Sequence, residues 1–105
     1  MAAYSVFQNQ NPKTGEAVPF LLDVQSDLLS ALGTRWVVPL YRAEAAAIVV
    51  ISRLTPSVFF EGQSLVAMVP EMAGISRREL GPPAGDLASA RGEILQAIDL
   101  LLTGF

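Results

Sequence analysis

The feature that most constrains this chain is a change of hydrophobic period at Asp86. Upstream, apolar residues come in short runs broken by Gly, Pro, Asn and Asp, the pattern of strands and turns. Downstream, Leu87, Ala90, Ile94, Ala97, Ile98 and Leu101 recur at helical spacing and make one apolar stripe. A chain of 105 residues has room for one core, so residues 1–105 are expected as a single domain. The predicted class is α+β: mainly antiparallel strands followed by one C-terminal helix.

Within the first part, Tyr4–Phe7 and Phe20–Val24 read as a hairpin. The polar stretch Gln8–Pro19 forms its long, mobile tip. Asp27–Ser30 reads as a short turn carrying Leu28 and Leu29. Thr34–Leu40 is β-rich, with Pro39 suited to an edge or a strand end. Residues 43–51, "AEAAAIVVI", fit helix by their Ala and strand by their Ile and Val, and periodicity does not decide so short a run. Ser57–Phe60 and Ser64–Val69 flank "EGQ", a hairpin whose three-residue loop takes its left-handed position from Gly62. Ala73–Leu80 is a last strand, and "GPPAG" (Gly81–Gly85) is read as a break. Asp86 then serves as N-cap, accepting from the backbone N–H groups two and three residues on. Gly92 weakens the helix by ~1 kcal/mol relative to Ala, and Gly104 sits where a left-handed C-terminal cap belongs.

Hydrophobic residues are 51% of the chain and charged ones only 16%, too little polar surface to cover the fold. An apolar patch left outside is most cheaply covered in a symmetric dimer. The net charge of −3 and the scattered Lys and Arg, with Arg77-Arg78 the one adjacent pair, argue against a direct nucleic-acid surface. The start "MAAYSVFQNQ" has neither the basic nor the apolar part of a signal peptide. The longest apolar run, Ala45–Ile51, is far short of the ~20 residues that span a bilayer. A cytoplasmic protein is expected.

Few residues point to chemistry. There is no Cys and no His, hence no disulfide, no thiolate or imidazole metal ligand, and none of the commonest general base. Ser26, Ser30 and Ser64 have no His to activate them. Asp23 and Asp27 fit turn capping better than a carboxylate pair, and Glu71 and Glu79 have no evident partner for acid–base work. The lone glycines make no phosphate loop. Arg35 after Thr34 is better read as a structural hydrogen-bond donor near a turn than as a phosphorane stabiliser. No cofactor and no metal is expected, and the residues alone reach only a small α+β binding module.

The strings "FLLDVQSDLL" (Phe20–Leu29), "RWVVPL" (Arg35–Leu40), "EMAGI" (Glu71–Ile75) and "DLASARGEILQAIDLLLTGF" (Asp86–Phe105) resemble the CcdB family of bacterial toxins. The resemblance implies a homodimer with an SH3-like barrel, a small accessory sheet and a C-terminal helix. It implies a topoisomerase poison rather than an enzyme: the family's dimer binds the DNA gyrase A subunit and traps the cleaved-DNA complex. A CcdA-like antitoxin neutralises it, and the pair represses its own operon through the antitoxin's DNA contacts. The gyrase-binding tail maps to Thr103, Gly104 and Phe105, where the best-known member reads Trp-Gly-Ile. The partner and antitoxin positions map to Leu28, Leu29, Asp99, Leu102 and Thr103. Asp99, Leu102 and Thr103 share one helical face, apart from the core stripe. Because Thr103 stands where the family has Trp, a module that binds antitoxin without poisoning gyrase is one alternative, and a MazF-type ribonuclease toxin is the other. The apolar tail Leu101–Phe105 either serves that partner or seals a dimer.

Overall fold

The computed structural model describes residues 3–29, 31–46 and 53–104. Its elements run β1 (Ser5–Asn9), β2 (Phe20–Asp23), β3 (Thr34–Arg42), α1 (Ala43–Ala46), β4 (Ser57–Phe60), β5 (Gln63–Ala67), β6 (Ala73–Ser76), β7 (Leu80–Asp86) and α2 (Arg91–Thr103). The strands join in one antiparallel sheet ordered β4-β5-β3-β2-β1-β7, with β6 also on β3. This strongly antiparallel, half-barrel sheet with its C-terminal helix is an α+β fold consistent with an SH3-like barrel.

The nine-residue strand β3 is the hub. One edge pairs with β2 along Asp23↔Val37 to Phe20↔Leu40. The other edge is shared: β6 takes Thr34 to Val37 and β5 takes Leu40 to Arg42. Pro39 therefore sits inside the sheet, not at an edge or strand end as expected. Its carbonyl accepts from the Met68 N–H on the shared edge, so its missing N–H points to the same side. That is where β6 has already left and β5 is only starting, so no ladder bond is lost.

The period-2 register builds the core. Cross-strand pairs Val6↔Leu22, Leu22↔Val38, Phe20↔Leu40, Leu40↔Ala67 and Val58↔Leu65 bring buried side chains to one face. Phe20 and Phe60 meet edge-to-face with ring centroids 5.1 Å apart. α2 closes this face with Ile94 and Ala97, both fully buried, and Leu87 seals the entry to the helix. The predicted stripe ends early: Ile98 is half-buried, and residues 101–104 are all exposed, Leu101 included. The last turn of α2 therefore runs past its cover.

Several local expectations are corrected. The β4–β5 loop has two residues, not three: Phe60 pairs with Gln63, and Glu61 and Gly62 both take positive φ (51° and 78°). Two left-handed residues give the turn whose twist matches the flanking strands. "GPPAG" is not a break but part of β7, which pairs with β1 through two register shifts. Pro is tolerated there because β7 is the sheet's end strand and needs ladder bonds on one side only. Gly81 is required by proximity, since a Cβ there would lie 2.5 Å from the Gln8 carbonyl oxygen. The strand predicted over Ala73–Leu80 stops at Ser76 and turns through a 3₁₀ segment, Arg77–Glu79, held by a capping box between Ser76 and Glu79. The strand predicted to reach Val69 ends at Ala67, and Val69–Glu71 is a 3₁₀ turn with Pro70 near its start.

The helix begins at Arg91, five residues after the expected cap. Asp86 does accept from the Ala88 N–H, two residues on, at 2.9 Å, but what it starts is a 3₁₀ turn, Ala88–Ala90, that feeds α2. Gly104 does end the helix in the left-handed conformation, φ 79°, with its N–H on the Leu100 carbonyl. The ambiguous segment 43–51 is helical over Ala43–Ala46, and the rest of it lies outside the described residues, as do Ser30 and Phe105. The β1–β2 loop is internally bonded, with Asn9 Nδ2 on the Val18 carbonyl and Val18 N–H on the Thr14 carbonyl.

Candidate functional site: the DVQSDLL turn and the outer face of the C-terminal helix

The string Asp23–Leu29 carries little chemistry of its own, but each of its polar side chains holds the next piece of backbone. Asp23 and Arg35 are both 0% exposed, and Asp23 Oδ2 lies 2.8 Å from Arg35 Nε and 2.6 Å from Nη2. Asp23 Oδ1 accepts from Gln25 N–H at 3.0 Å. Gln25, itself buried, accepts from Trp36 N–H and donates to the Leu29 carbonyl at 3.0 Å. Ser26 accepts from Leu28 N–H through its hydroxyl and from Leu29 N–H through its carbonyl. Asp27 accepts from Ala3 N–H. The Asp23 and Asp27 side chains thus cap turns and form no acid–base pair, and Arg35 is the structural donor expected of it.

This scaffold pins a 3₁₀ turn, Asp27–Leu29, with no buried residue of its own. Leu28 is 94% exposed and Leu29 49%. On this polar-braced turn Leu28 buries almost nothing in the fold and Leu29 only about half of itself, so the pair presents an apolar contact held in place by hydrogen bonds.

The second element is the outer face of α2. Leu102 is 69% exposed, and Asp99, Thr103 and Gly104 are exposed with it. The tail's described residues are therefore not part of the core. Thr103 donates its hydroxyl to the Asp99 carbonyl at 2.6 Å. Its polar atom is engaged within the helix, and it offers a methyl-sized surface at the position where an aromatic was expected from the resemblance.

A cleft of about 540 Å³ lies between these elements, lined by Tyr4, Val24, Ser26, Asp27, Arg91 and Leu95 among others. It joins the turn to the first turns of α2 rather than the last: Leu95 is seven residues, ~10 Å along a helix, from Leu102. The Arg91 guanidinium stands 6.0 Å from the centre of the Tyr4 ring. Burial pushes the Tyr4 phenol above its usual range, with Arg91 pulling the other way. Sequence reasoning missed Leu95, although its spacing to Asp99 and Leu102 is i, i+4, i+7 and marks the same face. It also missed the burial of Asp23 and Arg35. Among the described residues, no group of three or more His, Cys, Asp or Glu could hold a metal ion, and no helix is long and apolar enough to cross a membrane.

Comparison with known proteins bears on both the family and the fold. Residues 3–104 match the family model described as "CcdB protein", nearly the whole chain. Among solved structures, the fold is similar to that of an endoribonuclease from Mycobacterial species in complex with its cognate antitoxin. That match has a TM-score of 0.73 and 12% identity, and covers 97% of this chain and 94% of the other. At that identity the likeness shows the fold.

Proposed function

The chain belongs to the CcdB family, and on that premise we propose that it is the toxin of a toxin–antitoxin pair, acting by binding rather than by catalysis. The observation that carries this reading is the exposure of Leu28, Leu29 and Leu102, the first two on a turn whose polar side chains are consumed in holding it. Such a surface suits a protein partner: apolar anchors with a polar rim. Antitoxin binding is supported by the family, and by a neighbour of the same fold that is described with its cognate antitoxin. The DNA gyrase A subunit is the proposed target, and the exposed α2 tail is its proposed contact. We further read the protein as a homodimer, from its scarcity of charge, and as cytoplasmic, the compartment of the proposed gyrase target.

The tail departs from the family at Thr103. An interface Trp is worth ~2 kcal/mol or more, so its absence weakens target binding by at least tens-fold at ~1.4 kcal/mol per tenfold. The test is a DNA cleavage assay with gyrase from the source organism and supercoiled plasmid, native protein and Thr103→Trp side by side. Linear DNA with the native chain supports an active poison. Linear DNA with Thr103→Trp alone supports an intact scaffold with a weakened tail. The endoribonuclease of the same fold gives the second reading, in which RNA is cleaved without gyrase. This His-free chain with a net charge of −3 offers such a reaction little.

A further inference from the structure

On the sheet face turned away from the core, a second cleft of about 260 Å³ opens between the β1–β2 loop and β3. Its floor is aliphatic, formed by Val18, Leu21, Pro39 and Ile75. Its rim carries two carboxylates, Glu71 and Glu79, and no Lys or Arg lines it among the described residues. Both carboxylates are fixed. Glu71 accepts the Tyr41 hydroxyl, and Glu79 accepts Ser76 N–H at 3.1 Å in the capping box. Both residues are exposed, and Arg78 lines only the neighbouring cleft that shares Glu79.

An apolar trough with negative groups on its rim matches one kind of side chain: an aliphatic stem ending in a cation. We propose that this cleft docks a Lys or Arg side chain, flanked by aliphatic residues, from an extended segment of a protein partner. Charge complementarity selects that occupant over nucleic acid, whose phosphates meet two carboxylates and no cation here. The site shares no residue with the Leu28–Leu29 turn or the α2 tail, so it stands or falls apart from the gyrase reading.

The test is an amide-resonance titration of the ¹⁵N-labelled protein with the peptide acetyl-Ala-Leu-Arg-Leu-Ala-amide. Its Glu counterpart and hexauridylate serve as comparison probes. The Arg peptide is expected to shift Val18, Leu21, Glu71 and Ile75 saturably, and to bind more weakly as salt is raised. The double variant Glu71→Gln/Glu79→Gln should weaken it by about two- to thirtyfold, the range for two exposed ion pairs. Gln still accepts from Tyr41 and still completes a capping box, so the melting temperature of this variant should stay native. Three results overturn the proposal: no shifts at millimolar Arg peptide, equal or tighter binding of the Glu peptide or hexauridylate at these residues, or undiminished binding by the folded double variant.

Discussion

Replacing Asp23 by Asn tests whether the buried ion pair is what holds the Leu28–Leu29 turn. The change keeps an oxygen for Gln25 N–H but removes the charge facing Arg35, and both residues are fully inaccessible to water. Arg35 Nη1 already lacks a hydrogen-bond partner, so the guanidinium has no other carboxylate to turn to among the described residues. Leaving a buried charge uncompensated costs about 3–5 kcal/mol, a large share of the roughly 5–15 kcal/mol that holds a domain of this size. With a urea m-value of about 1.5–2 kcal/mol/M, the unfolding midpoint should fall by roughly 1.5–3 M. The double replacement Asp23→Leu/Arg35→Met removes both charges at similar volume. It should recover to within about 2 kcal/mol of native, the residue being mainly the orphaned Gln25 N–H. The assay is equilibrium urea unfolding of all three proteins at constant m. A loss below about 1 kcal/mol for Asp23→Asn, or a double variant no better than the single one, would refute the reasoning.

Two glycines should respond in opposite directions. Nothing lies within 4 Å of a Cβ built on Gly92, so Gly92→Ala should stabilise α2 by roughly 0.5–1 kcal/mol, read from the same unfolding curves. Gly81→Ala drives a methyl into the Gln8 carbonyl and should destabilise by more than that gain. Tyr41 should titrate at about 12, above the usual 10.0, because it donates to the Glu71 carboxylate, with burial and the Glu71 charge adding to the rise. Since the folded-state value is raised, the contact's contribution to stability is complete below pH 10 and is lost as pH climbs through about 12. Following the Tyr41 ring carbon by NMR, Glu71→Gln should bring the midpoint back toward 10, and an unchanged midpoint would exclude this cause.

What could be read from the residues, and what could not, follows from how far each signal reaches. The β1–β2 hairpin and the α2 stripe are local patterns, and both stand in the fold within a few residues. Gly81–Gly85 misleads because Gly and Pro report local preference, whereas β7 forms through long-range pairing with β1 at a tolerant end of the sheet. Pro39 misleads for a similar reason: only the division of the β3 edge between β5 and β6 makes a central Pro harmless. Arg35 escapes because a charged residue is taken as exposed by default. The alternation in Thr34-Arg35-Trp36-Val37, exposed then buried twice over, puts Arg35 on the same inward side as Val37, and that was a usable signal. For the site, the resemblance named Leu28, Leu29 and Leu102, and all three are exposed. That the polar residues of the same motif are their support is a matter of hydrogen bonds, which spacing does not carry.

On the proposed function, the exposed turn and helix tail serve a partner and not the fold. The most direct test is the double variant Leu28→Asp/Leu102→Asp, followed by thermal unfolding and by calorimetric binding to the purified gyrase A subunit. The melting temperature should stay within about 2 °C of native, as expected for surface changes, and the gyrase affinity of the native protein should be lost. A melting temperature lowered by about 10 °C or more, or undiminished binding by the folded variant, would contradict this reading.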